Sequence, residues 1–229
     1  MNNIEFSNEF DALLNSFGDT PNIILDEYEK SVFLTKAQEG LIIDIYSGKN
    51  PFNDSFEKSE EIRRYLSKLI ETYKTDTKIT DVTGISNEST FFKIPEDVWF
   101  ITYESAVLDE KELPCLNNKE VIVTPVRQDN FFKIKRNPFR GPSKDRILRL
   151  DTKGDTVELV STYNIGQYIL RYLSRPSPII LINLPDDLSI NGVKAETECK
   201  LNPVVHRAIL ERAVRLALMS KTQLTGEKK

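Results

Sequence analysis

Three observations in the sequence predict an α+β protein, a helical bundle that carries a β-rich insertion. Apolar residues recur at helical spacing near the N-terminus, and the period shortens towards two in the middle of the chain. A helix opened by a proline then returns at the C-terminus, where it most simply packs on the first helices. We therefore expect an N-terminal helical part of the bundle at 1–76, a β-rich insertion at 77–198, and a returning helix with a polar tail at 199–229.

The first predicted helix begins after Ser7, a residue type that caps helix N-termini well. It ends at Gly18, and Pro21 prevents its continuation. The apolar residues between these signals fall at i, i+3, i+4 and i+7, which places them on one face. They are Phe10, Leu13, Leu14 and Phe17.

The stretch DEYEKSVFLTKAQEGLIIDIYSG, residues 26–48, holds the best-defined helix signals of the chain. Asp26 is an N-cap, and Gly48 is a natural C-terminal stop. Thr35 and Gln38 match a T-x-x-Q capping box, which marks a helix start. The sequence therefore predicts two helices in this stretch, with a bend at Thr35.

The pattern changes from helix to strand after one more helix, which is expected at about 57–74. Apolar and charged residues there fall on opposite sides of a helical wheel. Residues 98–103 then alternate at period two, as in a half-buried strand. Runs at 120–126 and 130–135 are also predicted strands, and they flank a polar turn at 127–129.

Four further runs complete the predicted β-rich insertion. Residues 146–150 and 156–161 flank a hairpin turn in which Gly154 takes a positive φ. Residues 168–173 and 179–184 are two more predicted strands. The prolines between these two strands favour an edge position in the sheet, because proline cannot donate to a ladder.

The last predicted helix has Asn202 as its N-cap and Pro203 as its first residue, and it runs to about Lys221. One of its faces is apolar, and another carries charges at i, i+4 spacing. The tail that follows is polar and is expected to fray.

The composition is typical of a soluble folded protein, with 39% hydrophobic and 29% charged residues among 229. No apolar run is long enough to cross a bilayer, and the N-terminus lacks the pattern of a signal peptide. We therefore expect the protein in the cytoplasm of the cell that makes it. Cys115 and Cys199 are expected to be reduced thiols in or near the core, with a disulfide or a metal site as alternatives.

The sequence lacks the residues that most kinds of enzyme active site require. His206 is the single histidine, which excludes histidine-rich metal sites. No glycine-rich phosphate loop and no hydrolase or metalloprotease signature occurs. The densest carboxylates, at 26–29 and 60–61, lie at helix starts, where they favour the helix dipole. We therefore predict no enzyme activity, no cofactor and no metal; a nuclease that uses scattered carboxylates is the enzymatic alternative.

Charge is distributed unevenly along the chain, although the net charge is only −4. Residues 1–30 carry seven acidic side chains and a single basic one, whereas residues 127–149 carry eight basic and two acidic side chains. This asymmetry is the first indication of function in the sequence.

Residues 136–146, RNPFRGPSKDR, are predicted to form an extended exposed loop of the kind that is often functional. Three interpretations are open: a solvated loop, a nucleic-acid contact, and a contact with an acidic surface of another subunit. Head-to-tail rings join unlike patches, and the acidic N-terminal segment supplies a matching surface. The candidate subunit-interface residues are Arg136, Arg140, Lys144, Arg146, Glu27 and Glu29.

Four segments carry a resemblance to a known family. They are EFSNEFDALLNS, DEYEKSVFLTKAQEGLIIDIYSG, ILRYLSRPSPIILINLP and LNPVVHRAILERAVRLAL. They resemble the ring or adaptor proteins of the head-to-tail connector in crAss-like tailed bacteriophages. The resemblance spans most of the chain, but its middle, at 76–165, does not contribute to it and is interpreted from pattern alone.

The resemblance implies a structural virion protein that joins the portal to the tail, forms part of the DNA channel and takes part in genome ejection. It also implies partners: the portal protein, tail ring proteins and further copies of the chain, with a dodecamer expected. Its C-terminal segment, residues 221–229, is the candidate for insertion between portal subunits. Another tail ring or a tail-tube component is the alternative within the virion.

A physical argument separates the ring hypothesis from a nucleic-acid-binding protein that uses residues 127–149. A channel lined by several Lys and Arg side chains from every copy grips phosphates and hinders sliding of duplex DNA. We therefore expect the basic loop to face a neighbouring protein, and packaged double-stranded DNA to pass without specific binding.

Overall fold

The computed structural model describes residues 1–16, 24–49, 56 and 59–226, with side chains up to Ser220. The chain is of mixed α+β class and divides into two compact units. We call Met1–Leu69 with Pro176–Lys229 the helical unit, and Ile70–Arg175 the sheet unit. No helix in the described ranges is long and apolar enough to cross a membrane.

Helix α1 (Asn3–Ser16) begins earlier than the sequence predicted. Ser7 lies inside the helix, so its assignment as the N-cap is wrong. Its hydroxyl instead donates to a carboxylate oxygen of Glu27, at 2.9 Å, in the next helix. The predicted helix end at Gly18 and Pro21 lies outside the described residues.

Helix α2 (Glu27–Ser47) confirms both predicted ends of its stretch. Asp26 caps it in a reciprocal box with Glu29, and Gly48 closes it with a left-handed φ of 75°. The predicted bend at Thr35 is wrong, because α2 is continuous through this residue.

Thr35 has a different role, which it shares with Ser31 and Gln38 along one buried stripe of α2. The Thr35 hydroxyl accepts from the Ile179 amide at 3.1 Å and donates to the Ile179 carbonyl at 3.3 Å. Gln38 donates to the Ser177 carbonyl at 2.9 Å. Ser31 accepts from the Leu181 amide at 3.0 Å. The stripe therefore supplies the backbone partners that a neighbouring strand otherwise provides.

These hydrogen bonds from α2 explain why the strand prediction at 179–184 is wrong. The segment is extended, but it pairs through an isolated bridge between Ile180 and Thr197, and the amides on either side of Ile180 bond to side chains of α2. The sequence of an extended apolar run is the same whether its backbone hydrogen bonds are made with a neighbouring strand or with the side chains of a helix.

The predicted helix at 57–74 is correct only in its first half. Helix α3 (Glu60–Tyr65) and a 3₁₀ turn at Ser67–Leu69 are followed by strand β1 (Ile70–Thr75). Pairing of β1 with the last strand of the sheet overrides the helical spacing of its residues.

Helix α5 (His206–Gly226) follows a 3₁₀ turn at Pro203–Val205. Asn202 is confirmed as the cap, since its side chain accepts from the Val204 amide at 3.1 Å. α5 packs against α1 and α2. Its buried face includes Ile209, Leu210, Ala213 and Ala217.

The sheet unit contains eight strands that form one sheet. After β1 these are β2 (Lys78–Ile79), β3 (Ser89–Lys93), β4 (Val98–Leu108), β5 (Glu120–Pro125), β6 (Arg146–Asp151), β7 (Thr156–Val160) and β8 (Ile165–Ser174). The spatial order is β1–β8–β4–β5–β6–β7–β3–β2, and among these described strands only the β5–β6 pair is parallel. The two edge strands, β1 and β2, are two residues apart in the chain, so the sheet curls until its edges approach each other.

The hairpin predicted around Gly154 is confirmed, with β6 and β7 antiparallel and a φ of 74° at the glycine. The edge position predicted for 168–173 is wrong, because β8 lies between β1 and β4. The prolines that suggested an edge, Pro176 and Pro178, follow the end of the strand.

The predicted strand at 130–135 is instead helix α4 (Phe131–Lys135). Parallel strands such as β5 and β6 need a crossover, and α4 lies in that crossover. Phe131 is fully buried against Leu148, Leu150 and Val160. α4 therefore covers the face of β6 and β7 that is turned away from the main core of the sheet.

Candidate functional site

The basic loop, residues 136–146, connects α4 to β6 and has a fixed shape. The Asn137 side chain accepts from the amides of Phe139, at 2.9 Å, and Arg140, at 3.2 Å. The Gly141 amide donates to the Asn137 carbonyl at 2.7 Å. A Cβ at Gly141 would lie 2.7 Å from the Lys135 carbonyl oxygen, so only glycine fits this turn. The loop is therefore a preformed surface.

Three of the four predicted basic interface residues are free to bind a partner. Arg136, Arg140 and Lys144 are exposed and make no side-chain ion pair or hydrogen bond within the described residues. The fourth, Arg146, donates to the Phe139 carbonyl at 2.6 Å and so supports the loop. Lys133 on α4 is also exposed and likewise makes no side-chain ion pair or hydrogen bond within the described residues.

The other basic residues of 127–149 serve the fold of the sheet unit. Arg127 pairs with Asp129 at 3.2 Å, and Lys135 pairs with Glu88 at 2.8 Å. Arg149 is buried and pairs with Glu104 at 3.2 Å. Over the described part of 127–149, the unpaired cations are thus confined to Lys133 and the basic loop.

Exposed aromatic rings lie among these cations. The Phe139 side chain is 86% exposed and that of Phe132 is 60% exposed. A cavity of about 230 Å³ adjoins the loop, and its lining combines apolar residues with two arginines. The lining includes Ile134, Leu148, Arg140 and Arg146.

The two predicted acidic interface residues lie in the helical unit, at the start of α2. Glu27 accepts from Lys30 at 2.9 Å, and Lys30 also donates to Asp11 at 2.7 Å. Burial alone lowers the pKa of Lys30, but its hydrogen bonds to Asp11 and Glu27 outweigh burial and raise it. Glu29 accepts from the Asp26 amide at 3.3 Å and completes the cap. Both glutamates therefore also hold α1 and α2 in place.

These contacts give α1 and α2 the same direction, because Ser7 meets Glu27 and Asp11 meets Lys30. Both helix N-termini therefore lie at one end of the pair, which we call the acidic end. Two side chains at this end are strongly exposed, those of Ile4 (73%) and Ile24 (87%).

The buried titratable groups show no arrangement for catalysis within the described structure. His206 contacts the Leu201 carbonyl through Nε2 at 3.1 Å and the Met1 amine through Nδ1 at 2.9 Å. Burial lowers the pKa of His206 and raises that of the Cys199 thiol, which donates to Gln38. Cys115 is an exposed free thiol. Over the described ranges, no three His, Cys, Asp or Glu side chains are grouped to hold a metal.

Glu104 is the buried carboxylate at the centre of the sheet unit, and its partners neutralise it. Burial raises its pKa, while Arg149 and the Tyr168 hydroxyl bind the charged form and oppose this shift. Arg149 also reaches Asp151 at 3.3 Å. Since burial also raises the pKa of Tyr168, this network acts as a polar brace within the sheet core.

Sequence reasoning found the cations but missed the exposed apolar residues beside them. Phe139 follows Pro138 in a segment with no strand or helix period, so it had no predicted neighbour to cover it. An aromatic residue between two proline turns was the available signal. Ile24 carried no comparable signal, because it adjoins the buried Leu25 in an apolar run.

Comparisons with known proteins cover the full chain. A family described as phage tail ring protein 3/4 matches residues 1–229. The chain is 65% identical over 229 residues to Ring protein 3 of Bacteroides phage crAss001, covering 100% of both chains. It is also 32% identical over 228 residues to Ring protein 4/5 of the same phage, covering 95% of this chain and 92% of that protein.

Proposed function

Because this chain belongs to the phage tail ring protein 3/4 family, we propose that it is a ring-forming structural protein in the virion of a crAss-like phage. The observation that carries the proposal is the preformed basic loop, whose exposed Arg136, Arg140 and Lys144 make no side-chain hydrogen bond or ion pair in the described part of the chain. Because the loop is already ordered, it loses little conformational entropy on binding, which favours contact with another protein.

The proposed ring contact joins the basic loop of one copy to the acidic end of the next. The charged residues of this contact are Arg136, Arg140, Lys144 and Arg146 on one copy and Glu27 and Glu29 on its neighbour. Unlike patches on one chain give a heterologous interface, which closes into a ring when the rotation permits. Opposite charges at the rim steer the encounter and fix its register.

Within the virion, we place the ring in the head-to-tail connector, between the portal and the tail. The names of the family and of the relatives support a ring of the phage tail, and the place next to the portal is part of the proposal. The ring is expected to contain twelve copies, to form part of the DNA channel, and to insert residues 221–229 between portal subunits. Another tail ring or a tail-tube component is the alternative position.

The role is proposed to be non-enzymatic. The single histidine is buried and engaged by Leu201 and the Met1 amine, and the pKa of Cys199 is raised by burial. A thiol of this kind is a poor nucleophile, because the reactive form is the thiolate.

Electron microscopy of the purified chain mixed with the portal of the same phage tests the function. We expect an added ring on the narrow end of the portal, with a symmetry that can be counted. The matched variants are R136E/R140E/K144E and K78E/K93E, which reverses exposed lysines on β2 and β3. The first is expected to abolish ring formation and the second to preserve it; equal behaviour would contradict the charged contact.

Nucleic-acid binding is the second candidate, because exposed Phe132 and Phe139 lie among the unpaired cations. Fluorescence anisotropy with duplex and single-stranded DNA separates it from the ring contact. We expect weak binding that R136E/R140E/K144E does not change. Strong, salt-dependent binding that this variant abolishes would assign the loop to nucleic acid instead.

A further inference from the structure

Two apolar side chains are more exposed than any other large hydrophobic residue in the described part of the chain. They are Ile24, at 87%, and Phe139, at 86%. Single exposed apolar residues are common on protein surfaces and need no explanation by themselves. These two, however, lie in the two oppositely charged segments, one at the acidic end and one in the basic loop.

The backbone that carries Phe139 is held in place by two hydrogen bonds. Its amide donates to the Asn137 side chain, and its carbonyl accepts from Arg146 at 2.6 Å. A segment whose backbone is already ordered loses less conformational entropy when a partner covers its exposed side chain. Aromatic rings covered in this way commonly form the energetic centre of protein interfaces.

The cavity that adjoins the basic loop is lined in part by Arg140, the residue that follows Phe139, and its lining indicates the chemistry of an occupant. Ile134 and Leu148 line it with apolar side chains, and the basic residues Arg140 and Arg146 line the same space. This lining suits an aliphatic side chain that has a carboxylate close by in its own chain.

The acidic end has an exposed aliphatic side chain with a carboxylate close to it in the chain. Ile24 is followed two residues later by Asp26, whose exposed carboxylate accepts from the Glu29 amide through Oδ1 and retains further acceptor capacity. Ile4, 73% exposed, lies at the same end of the helix pair and can widen the apolar contact.

We propose, on the premise of the ring contact proposed above, that its apolar centre is Ile24 of one copy packed against Phe139 and the adjoining cavity of the next copy. Asp26 then meets Arg140. The occupant is a second copy of this chain because both halves of the contact are present in every copy and their charges are complementary. The surrounding charges form the rim that excludes water from the apolar centre.

Disulfide trapping between two different chains, each with one introduced cysteine and the buried native Cys199, tests this contact. Both chains carry C115S, which removes the exposed native thiol. One chain carries I24C, and the other carries F139C and a mass tag, so the heterodimer is identified by its mass. The control pairs are I24C with I122C and M219C with F139C, since Ile122 and Met219 are also strongly exposed (61% and 63%). Each mixture is oxidised mildly with and without the portal, and the same samples are imaged.

We expect the I24C–F139C heterodimer to exceed both control pairs by at least about tenfold, because the contact raises the local thiol concentration. Heterodimer at the control level, in samples that contain rings, overturns the Ile24–Phe139 contact and leaves the ring function intact. Heterodimer at the control level without any ring on the portal overturns both. Trapping of the portal by F139C in place of the second copy would assign the cavity to the portal and overturn the proposed occupant.

Discussion

Ion pairs occur in both the helical unit and the sheet unit, but the two units differ in the charged residues that they leave exposed. In the helical unit, buried Lys30 ties Asp11 and Glu27 together, and Arg212 of α5 pairs with Asp44 of α2. In the sheet unit, the cations of the basic loop stay unpaired within the described residues, while apolar packing and the Glu104–Arg149 brace form the core.

This difference separates residues that determine the fold from residues available to a partner. Charges that hold α1, α2 and α5 together cannot change without loss of stability. The cations of the basic loop contribute little to folding, so their positions can be set by what the loop contacts. Five substitutions test this division; Trp99, the single tryptophan, reports on the sheet unit, and circular dichroism reports mainly on the helices.

The largest effect is expected for Lys30→Met. Removal of the ammonium leaves Glu27, which already has one buried oxygen without a partner, next to an apolar side chain. We expect the free energy of unfolding to fall by about 3 kcal/mol in urea titrations followed by circular dichroism. Lys36→Met, at an exposed position on the same helix, is the control and should stay within about 0.5 kcal/mol. Equal losses would show that the ion pairs of Lys30 do not hold the helices together.

Gly84→Ala tests packing in the sheet unit. A Cβ there would lie 2.4 Å from the Ser89 Cβ and 2.8 Å from a carboxylate oxygen of buried Glu158. We expect a loss of about 2 kcal/mol in the unfolding transition reported by Trp99 fluorescence. Asn87→Ala, on the exposed surface of the same loop, serves as the control. An unchanged transition would mean that this loop relaxes freely.

Thr35→Val tests the polar stripe of α2. The change leaves the buried Ile179 amide and carbonyl without their hydroxyl partner, which costs about 1.5 kcal/mol. The same change at exposed Thr83 provides the matched control and should have little effect. Equivalent stabilities would indicate that the segment after the sheet is held by apolar contacts alone.

The lowered pKa of buried His206 leads us to expect that the stability of the protein depends on pH. Burial lowers its pKa below the ordinary value of 6.5; the Leu201 carbonyl opposes this shift, and the Met1 amine and Lys68 add to it. As the pH falls, the unfolded chain therefore takes up the proton first. Stability is full above about pH 6.5 and declines below it, by no more than about 1.4 kcal/mol per pH unit. Urea titrations between about pH 7.5 and 5.5 measure the decline, and His206→Gln should flatten it.

The smallest effect on folding is expected for R136Q/R140Q/K144Q. These side chains have no partner in the described structure, so the free energy of unfolding should stay within about 0.5 kcal/mol. Ring formation should be lost at the same time. A stability loss above about 1 kcal/mol would show that the loop cations act within the chain, which removes the contrast between the two units.

Several features that depend on nearby residues were predicted correctly, although the cap signals at Ser7 and Thr35 were misleading. The caps at Asp26, Gly48 and Asn202, the hairpin at Gly154 and the long alternating strand β4 each need only a local pattern. The resemblance to ring proteins of crAss-like phages is likewise confirmed by the family match.

Features that depend on distant partners were mispredicted. The helix predicted at 57–74 loses its second half to pairing with β8. The run at 130–135 is helical because two parallel strands need a crossover. The run at 179–184 bonds to side chains of α2. At the candidate site, sequence located the cations, but the exposure of Phe139 and the adjoining cavity depend on how α4 packs on the sheet.

The first and last strands of the sheet unit are direct neighbours. Ile70 pairs with Leu173, so the chain enters and leaves this unit at almost the same point. A segment with adjacent ends can be exchanged by recombination without redirecting the chain on either side of it. Residues 70–175 can therefore be replaced as a cassette, which changes the surface of the sheet unit while the chain continues between the flanking helical segments as before.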